Sequence, residues 1–294
     1  MLILDEQQVR RHLSYEKLIP TLEQALIRLS RGLLRQPVRS ILPVPEHHGF
    51  LGLMPAVDGD LMGVKLVLVY ERNTSLPTHQ AVIQLFSAST GEPLAMLDGR
   101  LITEMRTAAV SAIAARLFAR PGAHALAILG SGVQARAHLQ ALRTVGSFPE
   151  VRIWSRTAEH AGRFAGECGG TAMNLEAAIR GAGVVIGVSN VSEPLVRGEW
   201  LSAHAFVAAV GAIGPSKREL DDKAMDAHIV VESREAAGKE SGDILATKSP
   251  IYAELGEILA GDVPAPTNGR VVYKSLGVAA EDLAAARLVY EAVA

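Results

Sequence analysis

A short glycine-containing turn is the first feature of this sequence whose residue types and spacing could serve chemistry. The run AILGSGVQARAHL, residues 127–139, places Gly130, Gly132 and Ala135 in a G-x-G-x-x-A spacing between an apolar segment and a helical one. That spacing permits a tight turn, close approach of a pyrophosphate to the backbone, and a helix N-terminus whose free N–H groups face the phosphates. It predicts a dinucleotide site formed by the turn and the first helical residues, Gly130, Ser131, Gly132, Val133 and Gln134. The alternative is a plain strand-to-helix turn in which the glycines serve only the backbone.

The end of the next strand indicates which dinucleotide the turn would hold. NAD sites usually place Asp or Glu about 20 residues beyond the glycines to bind the ribose 2′-hydroxyl, whereas NADP sites accept a 2′-phosphate there. The run VRIWSRT offers Ser155, Arg156 and Thr157, which supply a guanidinium and two hydroxyls and no carboxylate. Because the guanidinium fork suits a phosphate, these residues favour NADP(H). A solvated arginine in a turn is the alternative.

Three cations before residue 110 lie in apolar or structured surroundings. Arg39 stands in QPVRSILPV, Lys65 in MGVKLVLVY and Arg106 in ITEMRTAAV. Lys65 is the most informative, because an ammonium within an apolar strand must either reach water from a sheet edge or meet an anion. Arg106 lies near the start of a predicted helix, where the macrodipole disfavours a cation, so it needs an anionic partner such as Glu104 or a ligand. Together the three cations predict a substrate that carries a carboxylate.

Other polar residues are less specific. His79 in LPTHQAV is a candidate hydrogen-bonding group or acid, although a single histidine is more often structural. The segment KESGD, residues 239–243, predicts a polar loop and a helix start, with a capping role as the alternative to ligand contact. Cys168 is the only cysteine, so neither an intramolecular disulfide nor a Cys-based zinc site is available, and we expect no metal site.

Composition and charge narrow the class of protein. The chain is 49% hydrophobic with a formal charge of −2, which gives no general attraction to nucleic acid or to an anionic membrane. The N-terminus MLILDEQQVRRHL turns polar too soon for a signal peptide, and no apolar run approaches the roughly 18 residues of a membrane span. We expect a cytoplasmic protein with a small-molecule substrate and no membrane or nucleic-acid partner.

The elements that position these residues follow two patterns. From about residue 120, β-rich runs such as HALAIL and AFVAAVG alternate with helical segments, as in βαβ units on a parallel sheet. Earlier runs, including MGVKLVLVY and HQAVIQLF followed by the loop STGEP, predict a mostly antiparallel sheet. We therefore expect an α/β protein with a Rossmann, doubly wound parallel sheet domain at residues 119–275. A discontinuous α+β domain is expected at residues 1–118 plus 276–294.

Runs that match a known family extend nearly from end to end and in order. They are QPVR, GFLGLMPA, MGVKLV, PTHQAVIQLF, RTAAVSAIAA, ILGSGVQA, VRIWSRT, GPSKRELDD, ESGD and KSLGVAAED, and they resemble the ornithine cyclodeaminase and mu-crystallin family, most of all its mu-crystallin branch of ketimine reductases. The resemblance implies a homodimer whose interface and substrate pocket come from the α+β domain and the C-terminal helix. It also implies that Arg39, Lys65 and Arg106 hold the substrate carboxylate, that Thr107 and Leu276 lie near the cofactor, and that residues 155–157 take the NADPH 2′-phosphate.

One position separates the branches of that family. Ornithine cyclodeaminases and related archaeal alanine dehydrogenases carry an aspartate in the loop GAIGPSKRELDD, where this chain has Ile213. Isoleucine cannot exchange protons with an amino substrate, so the resemblance implies net reduction rather than redox-neutral cyclisation of ornithine.

We therefore expect NADPH-dependent reduction of cyclic ketimine carboxylates, of the piperideine-2-carboxylate or pyrroline-2-carboxylate type. Lys65 is the first candidate proton donor and His79 the second. Three alternatives stay open. They are formation of amino acids or N-alkyl amino acids from α-keto acids, ornithine cyclodeamination, and binding of NADPH and a small ligand without catalysis.

Overall fold

The chain forms two compact units. The computed structural model describes all 294 residues. Unit 1 contains residues 1–106 and 277–294, and unit 2 contains residues 107–276. The division falls inside helix α3 (Gly99–Phe118), whereas the sequence pattern places it after that helix, at residues 118 and 119. A continuous helix carries no local signal for a boundary within it, because its breaking residues, Pro121 and Gly122, come only after its end.

Unit 1 is built on a seven-stranded, mostly antiparallel sheet in the order β1-β7-β6-β5-β4-β2, with β3 also paired to β4. Its strands are β1 (Leu2–Leu4), β2 (Leu34–Arg35), β3 (Ser40–Val44), β4 (Gly49–Asp58), β5 (Leu61–Tyr70), β6 (His79–Ser87) and β7 (Pro93–Asp98). Strand β1 runs parallel to β7. Along β5 every second residue is buried, which is the two-residue period of a strand with one covered face.

Three helices of unit 1 lie outside its sheet: α1 (Glu6–His12), α2 (Tyr15–Ser30) and α10 (Ala279–Glu291). Helix α1 begins with a capping box between Asp5 and Gln8. Helix α10 packs against α2 and against β4, β5 and β6. A Cβ added to Gly63 of β5 would meet Leu283 of α10, so the buried face of β5 is the face that this helix covers.

The opposite face of the same sheet exposes apolar side chains. Leu42, Leu53 and Met62 are 58%, 36% and 37% exposed. The strand register puts Leu53 opposite Leu66 and Leu42 opposite Leu51, so these side chains share one face with Met62. Contiguous apolar surface of this kind is typical of an interaction site.

Unit 2 is built on an eight-stranded parallel sheet in the order β10-β9-β8-β11-β12-β15-β13-β14. Its strands are β8 (Ala125–Leu129), β9 (Glu150–Trp154), β10 (Thr171–Ala172), β11 (Val184–Gly187), β12 (Phe206–Ala209), β13 (His228–Val231), β14 (Ile251–Glu254) and β15 (Val271–Lys274). The chain runs outward from β8 to β9 and β10, and then returns to pair β11 on the other side of β8. The order of strands therefore reverses between β8 and β11, which is where doubly wound sheets bind ligands. The expected α/β fold class is confirmed.

Helices flank this parallel sheet: α4 (Val133–Val145), α5 (Ala158–Cys168), α6 (Leu175–Ile179), α7 (Arg234–Glu240), α8 (Gly242–Thr247) and α9 (Leu255–Leu259). A buried histidine joins α4 to α3, because His138 Nε2 lies 2.9 Å from Ser111 Oγ. Burial lowers the pKa of His138 to about 4, so this ring is a neutral hydrogen-bonding group. None of the helices has the length and apolar composition needed to cross a bilayer.

Candidate active site

Lys65 lies on the covered face of β5 and meets a carboxylate of α10. Its side chain is only 2% exposed, and Nζ lies 2.6 Å from Asp282 Oδ2. The alternation of β5 turns residue 65 toward α10 rather than toward solvent. Of the two explanations that the sequence leaves open, a snorkelling edge lysine or a lysine facing an anion, the second is therefore the one observed.

Arg106 is buried against the same helix. Its Nε donates to Asp282 Oδ1 at 3.1 Å, and its Nη1 donates to Glu281 Oε2 at 2.6 Å. The sequence suggested Glu104 as a possible anionic partner of Arg106. The acids that the structure places against Arg106 are Glu281 and Asp282, from the C-terminal helix. Arg106 is also further along its helix than the sequence pattern indicates, because α3 begins at Gly99.

Arg39 lies near these cations and binds a backbone carbonyl oxygen of the segment before α10. Its Nη2 donates to the Gly277 carbonyl oxygen at 2.7 Å. Gly277 has a φ of +68°, and a Cβ at this position would overlap the guanidinium of Arg106, 2.7 Å from its Cζ. Gly277 therefore contacts both arginines, and a side chain at this position would require the Arg106 guanidinium to move.

The cluster combines cations with acids. Lys65, Arg106 and Arg39 carry three positive charges, and Glu281 and Asp282 carry two negative ones. Burial lowers the pKa of Lys65 to about 8, although Asp282 opposes the shift. Burial alone would raise the pKa of Asp282, but Arg106 and Lys65 hold it below its ordinary value. The five side chains thus form one ionic network, and its cations are groups that could bind a carboxylate.

His79 starts strand β6 and is half-buried. Burial, and then the charges of Lys65 and Arg106, lower the pKa of His79 to about 4. Its imidazole is therefore neutral at neutral pH and carries no ready proton. His79 belongs to the same electrostatic environment as the cations, but hydrogen bonding is the role that its pKa favours.

The glycine turn of unit 2 has the geometry of a phosphate site. It follows β8 at the point where the strand order reverses, and Gly130 has a φ of +150°, which L side chains rarely adopt. A Cβ at Gly132 would meet open space, and no side chain caps the N-terminus of α4 there. Ala135 is fully buried at the third small position. Backbone N–H groups and room for an approaching anion are thus both present.

The first helical residues complete this turn. Val133 is exposed at the start of α4, whereas Gln134 Oε1 is buried and accepts no hydrogen bond. A buried acceptor without a donor is unusual, and a ligand donor would satisfy it. The turn therefore fits a dinucleotide in shape and in hydrogen-bonding capacity.

The residues after β9 lie next to this turn. Ser131 Oγ donates to Ser155 Oγ at 2.9 Å, which connects the glycine turn to the end of the neighbouring strand. Arg156 and Thr157 are exposed, and Thr157 is the N-cap residue of α5. A cavity of about 220 Å³ is lined by Ser131, Arg136, His160 and Arg163, so this corner holds more basic side chains than we located from the sequence.

Thr107 and Leu276 are buried residues of unit 2. Leu276 follows β15, so it shares the carboxyl edge of the parallel sheet with the glycine turn. Its N–H donates to both oxygens of buried Glu232, at 3.1 and 3.2 Å, and Tyr273 Oη donates to the same carboxylate at 2.7 Å. Glu232 therefore fixes the backbone that carries Leu276.

The loop that carries Ile213 follows β12 on the same sheet edge. Ile213 itself is 42% exposed. Two buried groups hold the residues before it: Glu219 accepts from the Gly211 N–H at 3.0 Å, and Lys274 Nζ donates to the Ala212 carbonyl at 2.7 Å. In the segment KESGD, Ser241 caps helix α8. Asp243 is buried, 3.2 Å from the ammonium of Lys274. The capping alternative therefore holds for Ser241.

Several residues of these clusters have no role predicted from the sequence, among them Glu232, Gly277, Glu281 and Asp282. The last two had a visible signal, since AAEDLAAARLV places adjacent acids in an alanine-rich, otherwise apolar helix. Both are buried. Buried acids in such a helix need cationic partners, and Lys65, the lysine within an apolar strand, was a candidate partner that the sequence already offered.

Comparison with known proteins places this chain among relatives that match it over nearly its full length. The family model described as the ornithine cyclodeaminase/mu-crystallin family matches residues 1–294. Ketimine reductase mu-crystallin of Mus musculus is 48% identical over 300 residues, covering 98% of this chain and 96% of the relative.

Two solved structures are similar in fold along the whole chain. The Thermococcus litoralis Delta(1)-pyrroline-2-carboxylate reductase in complex with NADH and L-proline has a TM-score of 0.92 and 32% identity, and covers 99% of this chain and 97% of its own. An archaeal alanine dehydrogenase dimer with bound NAD has a TM-score of 0.93 and 30% identity. The match covers 99% of this chain and 95% of the dehydrogenase chain.

Proposed function

Because the chain belongs to the ornithine cyclodeaminase/mu-crystallin family, we propose that it is an oxidoreductase that reduces the C=N bond of cyclic ketimine carboxylates with NADPH. The substrates would be of the piperideine-2-carboxylate or pyrroline-2-carboxylate type, and the products cyclic amino acids. Relatives named ketimine reductase and Delta(1)-pyrroline-2-carboxylate reductase support imine reduction as the reaction.

The observation that carries this proposal is the cluster of three cations, in which Lys65 and Arg106 are buried and Arg39 is half-buried. A buried cluster of ionic groups costs desolvation energy, and a protein that only stored a ligand by apolar contact would gain nothing from it. In the proposed complex Arg39 and Arg106 hold the substrate carboxylate. Lys65 contacts the imine nitrogen of the same substrate and donates the proton to it.

The reaction needs one hydride and one proton. When bound, the reduced nicotinamide supplies the hydride to the imine carbon. Lys65 supplies the proton to the imine nitrogen, and its pKa of about 8 leaves it largely protonated at neutral pH yet able to release the proton. His79 is a hydrogen-bonding residue in this proposal, since its imidazole is already neutral there. Burial of Lys65 and Arg106 keeps water from competing for the carboxylate.

The cofactor is proposed to lie on the carboxyl edge of the parallel sheet. Gly130, Ser131, Gly132, Val133 and Gln134 would hold its pyrophosphate, with Thr107 and Leu276 near it. Ser155, Arg156 and Thr157 would take a 2′-phosphate, since this strand end offers no carboxylate for a free ribose hydroxyl. Arg136 and Arg163 beside Ser131 are paired with Glu167 and Glu159, at 2.6 and 2.9 Å, so Arg156 is the guanidinium on which the proposed phosphate contact depends.

Ile213 supports net reduction over cyclodeamination. An isoleucine side chain has no proton to give or accept, so it cannot assist the loss and gain of protons on an amino substrate. Its position after β12 on the carboxyl edge of the sheet places this apolar group on the edge proposed for the cofactor. Acyclic imines, formed from α-keto acids and amines, remain a second candidate substrate class on the same charge argument.

We further propose a homodimer formed through the exposed apolar face of the unit 1 sheet. Leu42, Leu53 and Met62 on this face are more exposed than side chains of their type are in a covered core. A second copy of the chain would remove them from water. The archaeal alanine dehydrogenase of similar fold is itself described as a dimer.

The test is NADPH oxidation by the purified protein with piperideine-2-carboxylate. Parallel reactions contain NADH in place of NADPH, or ornithine with NAD and a readout of ammonia. We expect rapid NADPH-dependent reduction and no ammonia release. Tight NADPH binding without turnover would instead support a binding protein, and ammonia from ornithine would overturn the interpretation of Ile213.

The variant Lys65→Met separates two roles of this residue. Loss of turnover with a modest change in KM supports the proton-donor role. If turnover persists and only KM rises, Lys65 serves the carboxylate alone and the proton comes with the substrate.

A further inference from the structure

Asp282 is the one carboxylate of the cation cluster whose two oxygens serve two different cations. Its Oδ2 lies 2.6 Å from Lys65 Nζ, and its Oδ1 accepts from Arg106 Nε at 3.1 Å. All three side chains are buried. Glu281, the preceding residue, contacts Arg106 through Oε2 at 2.6 Å. The two acids therefore differ: the contact with Lys65 belongs to Asp282.

We propose that Asp282 is a positioning residue for the reduction, which acts through Lys65 by keeping the ammonium charged and fixed in direction until the substrate takes its proton. This inference rests on the proposed function and deepens it by assigning the residue on which the proton donor depends. Asp282 touches neither the substrate nor the cofactor in this scheme. Its effect on the reaction is exerted entirely through the lysine.

The surroundings of Lys65 show why such a partner is needed. Burial disfavours the charged ammonium, and Arg106 and Arg39 disfavour it further through like charge. His79 lies on the same face of the sheet, four positions from Ile83, the partner of Lys65 on β6, but a neutral imidazole contributes no compensating charge. Among the groups around Lys65, Asp282 is the anion that opposes burial and the neighbouring arginines. Without it, a lysine in this place would lose its proton near or below neutral pH.

The bridging geometry also explains how the carboxylate survives the proton transfer. In the step itself, the reduced nicotinamide would give up a C–H hydride and become oxidised, the imine carbon would gain that C–H bond, and the electron pair of the C=N π bond would move to nitrogen. The N–H bond of Lys65 breaks, its proton joins that nitrogen, and the neutral lysine later regains a proton from solvent. Asp282 then faces a neutral amine through Oδ2 but remains compensated by Arg106 through Oδ1. It can therefore stay ionised throughout the cycle.

The test is the pH profile of kcat and KM for piperideine-2-carboxylate and NADPH in Asp282→Asn. The amide keeps the size of the side chain and removes its charge. We expect the alkaline fall of kcat to move down by about 1–3 pH units, because an opposite charge in contact supports the lysine pKa by about that much. At a pH above the wild-type fall, kcat is then lower by about tenfold or more. KM should change by a smaller factor than kcat, since the variant alters one contact of Arg106 but removes none of the cations proposed to hold the substrate carboxylate.

The matched control is Glu281→Gln, which removes the neighbouring buried charge beside Arg106. We expect it to change KM without moving the alkaline limb of kcat. Thermal denaturation confirms that each variant is folded. The proposal is overturned if a folded Asp282→Asn protein shows the alkaline fall of kcat at the same pH as the wild type. It is also overturned if Glu281→Gln moves that fall by as much as Asp282→Asn does.

A second variant covers the case in which Asp282→Asn does not fold. Asp282→Glu retains the charge but moves the carboxylate by one methylene. We therefore expect the alkaline fall of kcat to stay near its wild-type pH, while the maximal kcat decreases. An unchanged kcat in Asp282→Glu would contradict the positioning role. A wild-type protein that does not reduce the imine at all refutes the proposed function instead, so the two failures are distinguishable.

Discussion

Replacing Gly277 by alanine tests whether the loop before α10 shapes the carboxylate site. A Cβ at Gly277 would overlap the Arg106 guanidinium, and a φ of +68° strains any L side chain there. The backbone strain costs roughly 1–2 kcal/mol. Displacing Arg106 from Glu281 and Asp282 weakens hydrogen bonds between charged groups, each worth about 1.5–3 kcal/mol. With the strain and the loss of one of these hydrogen bonds, we expect a decrease of about 2.5–5 kcal/mol in the free energy of unfolding.

Gly261 provides the matched control, since it has a φ of +75° and a Cβ there would meet nothing within 4 Å. Gly261→Ala should cost only the strain, about 1–2 kcal/mol. Denaturant unfolding measures both variants, and steady-state kinetics measures KM for piperideine-2-carboxylate. Because a shifted Arg106 no longer faces the substrate carboxylate correctly, KM in Gly277→Ala should rise by about tenfold, which corresponds to about 1.4 kcal/mol. Equal stability and equal KM in the two variants would refute this reasoning.

Three further predictions concern the ionisable groups of the site and of the parallel sheet. Imine reduction should fall as pH rises through about 8, because Lys65 then loses the proton that it donates, and a Lys65→Met protein that kept the same falling limb in a kcat profile would contradict this. Arg156→Ala should raise the KM for NADPH by roughly tenfold or more while leaving NADH nearly unaffected; equal weakening of both cofactors in steady-state kinetics, with the surface variant Arg180→Ala as control, would exclude a 2′-phosphate contact. Burial raises the pKa of Glu219 to about 7, so this group stabilises the fold fully below its ordinary value of 4.5 and loses that contribution as pH rises through 7. Urea unfolding of Glu219→Gln should accordingly show a flatter loss of stability across that interval than the wild type, and parallel curves would show that Glu219 does not titrate there.

Much of the fold was open to prediction because its signals are local. The alternation of β5 and the β-rich runs after residue 120 report the period of a strand and the order of βαβ units. The division between units was not predictable in the same way. It falls within α3, where the residues on both sides of position 106 are equally helical, so only packing in three dimensions reveals it.

The candidate site divides along the same line. The sequence alone determined the glycine turn, the absence of a carboxylate after β9 and the presence of an unexplained lysine in an apolar strand, because each is a property of neighbouring residues. The partner of that lysine was decided by tertiary structure. Asp282 meets Lys65 because the last helix returns to cover β5, and it meets Arg106 across a separation of 176 residues. Opposite charges attract through space whatever their distance along the chain, so only the folded arrangement shows which carboxylate balances which cation.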